Sequence, residues 1–268
     1  MRDIDADIDG LARRALDGER DAVEELVRAL APDVYDLAIR MLWHRENAED
    51  AAQEILIRVI TRLSQFDFRS GLRTWVYRVA TNYLLDTKKS AVERFQLTFE
   101  QFGDDLATGL SNAGPPDGER STLTEEVKIG CTLGMLQCLD RPHRLAYILG
   151  EILELPAGEA AAALDIAPPA LRKRLERARA RVEAFARQHC GLVSDGAACQ
   201  CNRRVPAALQ LGRVRPDDLQ FAGDGCSFAE ARIAVRAIDQ ARRVLELYRL
   251  SRPRSSSVDF ARRLIAAL

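Results

Sequence analysis

The chain has 268 residues and a formal net charge of −1, and 47% of its residues are hydrophobic. This length allows two or three small domains, and the high content of Ala, Leu and Arg favours an all-α fold. The near-zero charge excludes a uniformly basic nucleic-acid-binding protein, so such binding must depend on local patches. An acidic N-terminus and the lack of a long apolar run predict a cytoplasmic protein with no membrane span.

Apolar residues at helical spacing predict one helical domain over residues 8–90. One of its helices is predicted to run from Ala48 to about Leu63, with Asn47 as its N-cap. Between positions 91 and 127 the chain carries eight acidic residues and two arginines, together with several Gly and Pro residues. That composition predicts an acidic, mostly irregular linker.

Aromatic residues and arginines are interleaved between positions 66 and 82. Helical spacing predicts a buried face made of Leu72, Trp75, Val76 and Val79. It predicts a solvent-facing side made of Arg73, Tyr77, Arg78 and Asn82, followed by Lys88 and Lys89. Cations that track phosphates, beside planar groups that stack on bases, suit single-stranded DNA. An ordinary amphipathic helix with solvated arginines is the alternative interpretation.

Residues 155–181 have the pattern of a helix-turn-helix unit. An alanine-rich first helix leads to Ile166 at the turn, and Leu171 and Leu175 lie on the inner face of the second helix. Seven cations and two acidic residues occupy positions 168–187. Such a helix suits the DNA major groove, where some arginines reach base edges and others hold phosphates. The alternative is a basic surface helix with no ligand, or one that binds an acidic protein.

The two motifs together resemble extracytoplasmic-function (ECF) RNA polymerase sigma factors. Residues 48–54 and 72–86 closely resemble region 2 of that family, and residues 136–181 resemble region 4. The resemblance implies an all-α protein with region 2 at 1–90, an acidic linker at 91–126, the region 4 helix-turn-helix domain at 127–187 and a mainly helical extension at 188–268. The sequence departs from the family pattern at Asp165, at Ala167 and at the paired prolines that follow.

The resemblance also implies partners and site residues for a transcription initiation factor that is not an enzyme. The implied partners are core RNA polymerase, through its β′ clamp and β flap, promoter DNA, and an anti-sigma factor. The implied polymerase-facing residues are Asp50, Gln53 and Glu54. The family resemblance and the residue pattern together predict which residues bind the −10 element. These are Arg73, Tyr77, Arg78, Asn82, Asp86, Lys88 and Lys89. Those predicted to bind the −35 element are Arg172, Lys173, Arg174, Arg177 and Arg179.

Two other classes of protein remain open on the residues alone. A helix-turn-helix regulator that acts without core polymerase has the same basic helix. A metal-dependent nuclease also acts on DNA, although the three histidines are scattered along the sequence.

Six cysteines distinguish the chain, and in a reducing compartment they are not expected to form structural disulfides. Cys131 and Cys138, seven apart on a helical pattern, are predicted to be core residues. The Cys199–Cys201 pair, with Cys190 and either His189 or Cys226, can complete a tetrahedral site for Zn²⁺ or another thiophilic metal. A thiol redox switch and inert cysteines are the alternatives, and no other cofactor is predicted. The extension that carries these residues is predicted to regulate the DNA-binding regions, or else to form a small domain packed on itself.

Overall fold

The computed structural model describes residues 2–87, 96–111, 120–222, 228–237 and 242–267. The α-helices in these stretches are α1 (Arg2–Leu16), α2 (Arg20–Leu42), α3 (Arg45–Thr61), α4 (Leu72–Asp86), α5 (Phe99–Ala107), α6 (Arg120–Gln137), α7 (Arg141–Tyr147), α8 (Ala157–Ala163), α9 (Pro168–His189), α10 (Cys201–Gln210), α11 (Phe228–Arg236), α12 (Arg243–Leu250) and α13 (Phe260–Ala267). The only β-pairing within these stretches is an isolated bridge, so the all-α prediction is confirmed. No helix in this part of the chain is both long enough and apolar enough to cross a membrane.

Helices α1 to α4 pack on one another as an N-terminal bundle. The predicted N-cap at Asn47 is wrong, because α3 begins at Arg45 after an extended His44. The cause lies at the end of α2, where Trp43 adopts a left-handed conformation with φ of 56°. Its N–H group donates to the carbonyl of Ile39 at 2.9 Å and ends α2, so the chain starts α3 almost at once.

The linker prediction is wrong for two stretches that the structure shows as helical. Helix α5 begins with a capping box, in which Thr98 and Gln101 each accept the other's backbone N–H at 3.1 Å. Helix α6 extends through Glu126, whose carboxylate accepts backbone N–H groups from residues 220, 221 and 222 at 2.8, 2.9 and 2.6 Å. The Glu126 carboxylate therefore holds the C-terminal extension instead of facing solvent. Residues 88–95 and 112–119 lie outside the described part of the chain.

The helix-turn-helix unit consists of α8 and α9, and a π-helical turn at Ile148–Ile152 connects it to α7. Asp165 in its turn has a φ of 52°, a conformation that usually favours glycine. Ala167 occupies the N-cap of α9 without a side-chain hydrogen bond. Pro168 and Pro169 follow at the first helical positions, where a missing N–H is tolerated.

The extension does not form a domain packed only on itself. Helix α10 packs on α6, α12 packs on α9 and on the π-helical turn, and α13 packs on α2 and α3. Phe260, Ala261 and Leu264 of α13 are buried in these contacts. The extension therefore touches both the N-terminal bundle and the helix-turn-helix region.

Two buried arginines of α7 join the helix-turn-helix region to the N-terminal bundle. The Arg144 side chain donates to the carbonyl of Met41 at the end of α2 (2.6 Å) and to that of Leu136 at the end of α6 (2.9 Å). It also donates to the carbonyls of Gln137 and Leu139 at 3.3 and 2.9 Å. Arg141 donates to the carbonyls of residues 84, 85 and 87 at the end of α4, at 2.8, 3.0 and 2.5 Å. The last carbonyls of a helix lack intrahelical partners, so these guanidinium groups satisfy them in the interior.

Replacing Arg144 by Met is expected to lower the free energy of unfolding by about 3 kcal/mol, because a buried guanidinium that donates to four carbonyl groups is lost and the carbonyls of Gln137 and Leu139 lose its hydrogen bonds. Urea unfolding followed by far-ultraviolet circular dichroism measures the change. Arg172→Met, at an exposed position of α9, is the control and is expected to change stability by less than about 0.5 kcal/mol. Equal stability of the two variants would contradict a structural role for Arg144.

Asp105 gives a pH-dependent test of the contact between α5 and the extension. Its carboxylate pairs with Arg204 at 2.8 Å and with Arg213 at 2.6 Å. Burial raises the pKa of Asp105, but the hydrogen bond from Arg213 and the charge of Arg204 outweigh burial, so the pKa lies below its usual value. Because the pKa of Asp105 is lower in the folded chain than in the unfolded chain, its ionised carboxylate stabilises the fold at pH values above the unfolded-state pKa. This contribution is lost as the pH falls through the folded-state pKa.

Asp105→Asn is therefore expected to lower the free energy of unfolding by about 1 kcal/mol at pH 7. This loss should shrink once the pH falls below about 4. Urea unfolding at both pH values measures it. Asp104→Asn, at the exposed neighbouring position, serves as the control. A cost that stays constant with pH would show that the carboxylate charge is not the cause.

Candidate nucleic-acid interface

Helix α4 presents the predicted apolar face to the core. Leu72 and Val76 are buried, while Trp75 and Val79 are half-buried and pack against the core. The prediction that Tyr77 faces solvent is wrong, since this residue is 3% exposed. Burial, with a smaller effect from the nearby Asp33 carboxylate, raises the pKa of its hydroxyl. Tyr77 is therefore a core residue and not a platform for a base in this arrangement.

The two arginines of α4 form ion pairs within the chain. Arg73 pairs with Asp33 of α2, and Arg78 Nη2 lies 2.6 Å from Asp165 Oδ1 in the turn of the helix-turn-helix unit. Of the other residues predicted to bind the −10 element, Asn82 and Asp86 are exposed. Lys88 and Lys89 lie outside the described residues, so their prediction stays untested.

One side of α4 is covered by α8. Thr74 Oγ1 donates to a Glu159 carboxylate oxygen at 3.1 Å. Thr81 Oγ1 donates to the Ala163 carbonyl at 2.7 Å, and this threonine is fully buried. Positions 74, 78 and 81 share one helix face, so the helix-turn-helix unit lies against the face of α4 that holds Arg78, whose side chain stays 49% exposed.

The exposed side of α9 is strongly basic. Arg172, Lys173 and Arg177 are exposed and Arg174 is half-exposed. None of these four residues has an ion-pair partner within the described part of the chain, whereas Arg179 pairs with Glu151. Leu171 and Ala178 are buried on the inner face. The fold thus leaves a row of cations open to an anionic ligand near the start of α9.

The predicted polymerase-facing residues share one face of α3, because they lie three and four positions apart. Asp50 is exposed, and Glu54 accepts a hydrogen bond from Arg58 at 2.9 Å. Gln53 accepts one from Arg263 of α13 at 3.4 Å. Just before α13, the hydroxyl of Ser256 donates to Glu49 of α3 at 2.9 Å. The C-terminal segment therefore lies along one edge of this face.

The cysteines are arranged differently from the predicted set. Cys190 and Cys199 form the isolated β-bridge, and Cys201 is the first residue of α10. Cys131 lies in α6, which packs on α10. Cys138 is 6% exposed, which confirms its core prediction.

The remaining members of the predicted metal set do not join these thiols in the structure. His189 packs its ring on Phe185, with centroids 4.7 Å apart, and against Gly103. Cys226 lies outside the described residues. Among the described residues, no three Cys, His, Asp or Glu side chains are grouped so that they could hold a metal ion.

Comparison with known proteins agrees with this architecture. Residues 26–93 match the family described as Sigma-70 region 2. Over 171 residues the chain is 30% identical to ECF RNA polymerase sigma factor SigW of Bacillus subtilis (strain 168), covering 59% of this chain and 91% of the relative. It is 28% identical over 178 residues to RNA polymerase sigma factor CnrH of Cupriavidus metallidurans, covering 65% and 92%.

The solved structures include similar chains. The structure of CnrH in complex with the cytosolic domain of CnrY aligns with a TM-score of 0.46 and 22% identity, covering 65% of this chain and 94% of that one. The matches with the curated relatives leave about a third or more of this chain uncovered. Because the chain is 30% identical to SigW and covers 91% of the length of that relative, it belongs to the ECF RNA polymerase sigma factors.

Proposed function

We propose that this chain binds core RNA polymerase, reads the −35 element of promoters through α9 and supports opening of the −10 element through α4. The observation that carries the proposal is the open row of cations on α9, present in the same chain as the Sigma-70 region 2 match. A basic helix at the exposed side of a helix-turn-helix unit fits the major groove. The proposed polymerase contact is the α3 face with Asp50, Gln53 and Glu54.

Reconstituted transcription tests the whole proposal. Core polymerase, the purified chain and fragmented genomic DNA are combined, and the 5′ ends of the RNA products are sequenced. We expect discrete start sites that are absent without the chain. The absence of such sites, with DNA binding that persists in a pull-down lacking core polymerase, would instead support a helix-turn-helix regulator that acts alone.

Arg177→Ala is expected to weaken transcription from those promoters about tenfold or more, because a base-reading arginine contributes about 1–3 kcal/mol of discrimination. Run-off transcription at fixed salt measures this loss. Arg187→Ala is the matched control, since Arg187 lies near the other end of α9 and pairs with Glu183 at 3.3 Å. Equal losses for both variants would indicate a general charge effect and contradict base reading at the start of α9.

We further propose that the contact between α4 and α8 opens when the chain binds a promoter. In the closed arrangement Arg78 is paired with Asp165, and α8 covers the face around it. A guanidinium that neutralises a carboxylate is less available to a phosphate. Opening of this contact would release Arg78 towards the melted strand while α9 holds the duplex.

Asp165→Asn and Asp165→Gly both remove the carboxylate, and both residue types tolerate the positive φ of this turn. We expect either variant to raise the affinity of the chain for a single-stranded oligonucleotide of the −10 sequence by about threefold. Fluorescence anisotropy at low salt measures the affinity. Wild-type affinity in both variants would contradict a masking role for Asp165.

The C-terminal extension is proposed to limit access of core polymerase to α3. The support is the position of α13, whose Arg263 reaches Gln53 while Ser256 and Ser257 contact Glu49 and Arg45. Phe260 anchors the segment, being 6% exposed with its ring 6.5 Å from that of Tyr35. A separate anti-sigma factor remains a prediction.

Phe260→Ala is expected to release α13 and to raise the affinity for core polymerase at least about threefold, because the large buried side chain holds α13 in place. Ile265→Ala is the matched control on the same helix, since Ile265 is 37% exposed. Surface plasmon resonance on immobilised core polymerase measures both. Unchanged binding by Phe260→Ala and by a chain ending at residue 250 would contradict the limiting role.

A further inference from the structure

A cavity of about 600 Å³ lies between α2 and the C-terminal extension. Its walls are α2, the end of the π-helical turn, the end of α12, the irregular segment 252–259 and the start of α13. None of the residues proposed above to bind polymerase or DNA lines it. A cavity of this volume admits a small metabolite.

Arg40 of α2 brings a buried charge to the wall of this cavity. The residue is 2% exposed. Its Nε donates to the two carboxylate oxygens of Asp36 at 3.0 and 3.1 Å, whereas its Nη1 is buried and has no partner among the described residues. A buried donor without an acceptor costs about 1–3 kcal/mol, and more when the donor is charged. A ligand that supplied an acceptor would remove this cost.

The hydroxyl of Tyr35 is a second unused donor in the wall. Tyr35 is 4% exposed, and its ring lies 6.5 Å from that of Phe260. Its hydroxyl forms no hydrogen bond with any residue that the structure describes, although a buried tyrosine hydroxyl usually has a partner. Burial is the main cause that raises the pKa of Tyr35 to about 12. The hydroxyl therefore keeps its proton at neutral pH and can donate it.

The exposed cation of the wall is Arg252. It forms no ion pair within the described stretches, and it follows Ser251, whose buried hydroxyl also lacks a partner there. The other charged residues of the wall already have partners: Arg28 with Glu24, Arg249 with Glu154, Asp33 with Arg73, and Asp259 with the N–H of Arg262. The groups left over are donors and a cation, which favours an anionic ligand.

We propose that this cavity binds a small phosphate ester whose phosphate oxygens accept hydrogen bonds from Arg40, Tyr35 and Arg252. A phosphate offers three acceptor oxygens and a charge of about −1.5 to −2 near neutral pH. The donors come from α2 and from the extension, so they suit a group that accepts from several directions better than a planar carboxylate. The remaining volume of the cavity holds the organic part of the ester.

The bound ester would connect the extension to the N-terminal bundle. Tyr35 and Arg40 belong to α2, whereas Arg252 lies in the irregular segment that leads into α13. Binding would therefore hold α13 in its place on α2 and α3. If α13 limits access of core polymerase to α3, the ester would strengthen that effect. This last consequence rests on the proposed function, whereas the binding itself does not.

Calorimetric titration of the purified full chain with glycerol 3-phosphate, in a phosphate-free buffer without DNA or polymerase, tests the proposal. We expect one binding site per chain with a dissociation constant of about 1 mM or lower. Succinate, a dicarboxylate, is expected to bind at least about tenfold more weakly. The absence of saturable binding of glycerol 3-phosphate, or equally tight binding of succinate, would overturn the proposal and leave the proposed function untouched.

Two conservative variants test the donors without damage to the fold. Tyr35→Phe removes only the unused hydroxyl, so we expect an unchanged urea-unfolding curve without ligand and binding weaker by about threefold or more. Arg252→Gln is expected to weaken binding about tenfold or more. Arg172→Gln and Arg232→Gln remove exposed cations from α9 and α11 and are the matched controls, which should keep wild-type affinity. Equal losses for Arg172→Gln and Arg252→Gln would place the anion on α9 and contradict binding in the cavity.

Hydrogen exchange of the wild type, followed by mass spectrometry, locates the bound anion without any substitution. We expect saturating glycerol 3-phosphate to slow exchange in peptides that cover residues 251–259, because this segment has no regular secondary structure of its own. Peptides from α9 are the internal reference and should exchange at the same rate with and without ligand. Unchanged exchange over residues 251–259, or slowing confined to α9, would contradict the proposed site.

Discussion

The burial of two guanidinium groups at helix C-termini determines how the N-terminal bundle and the helix-turn-helix unit lie against each other. Arg144 and Arg141 satisfy backbone carbonyls at the ends of α2, α4 and α6. These carbonyls have no partner within their own helices, and a buried carbonyl without a donor is costly. Because both arginines belong to α7, the segment that leads into the helix-turn-helix unit is fixed on the N-terminal bundle.

That arrangement has a direct consequence for DNA binding. It places α8 against α4, where Arg78 is paired with Asp165, while the cations near the start of α9 stay open. The proposed duplex-reading side is thus exposed, and the proposed −10 side has one of its arginines neutralised by a carboxylate. Such a chain would bind duplex DNA through α9 first and expose the face of α4 around Arg78 afterwards, provided that the α4–α8 contact is weaker than the contact with DNA.

The acidic segment and the extension belong to the same system of contacts. Asp105 and Glu126 of that segment bind residues of the extension through charges and backbone N–H groups. At the other end of the extension, α13 lies against α2 and α3. The attachment of α13 depends on burial of Phe260.

The sequence alone determined the all-α class, the helix-turn-helix unit and the basic side of α9, because these follow from local periodicity and local charge. Ile166 is an example: the sequence placed it at the turn between two helical patterns, and in the structure it lies between α8 and α9.

Only the tertiary structure decided which side chains remain available, because that depends on residues far apart in sequence. Tyr77 became a core residue and Arg78 gained Asp165 as its partner. In the acidic segment, the Asp105 carboxylate pairs with Arg204 and the Glu126 carboxylate accepts the N–H of Gln220. No local spacing encodes such meetings, since they arise from the packing of α6 on α10 and of α8 on α4.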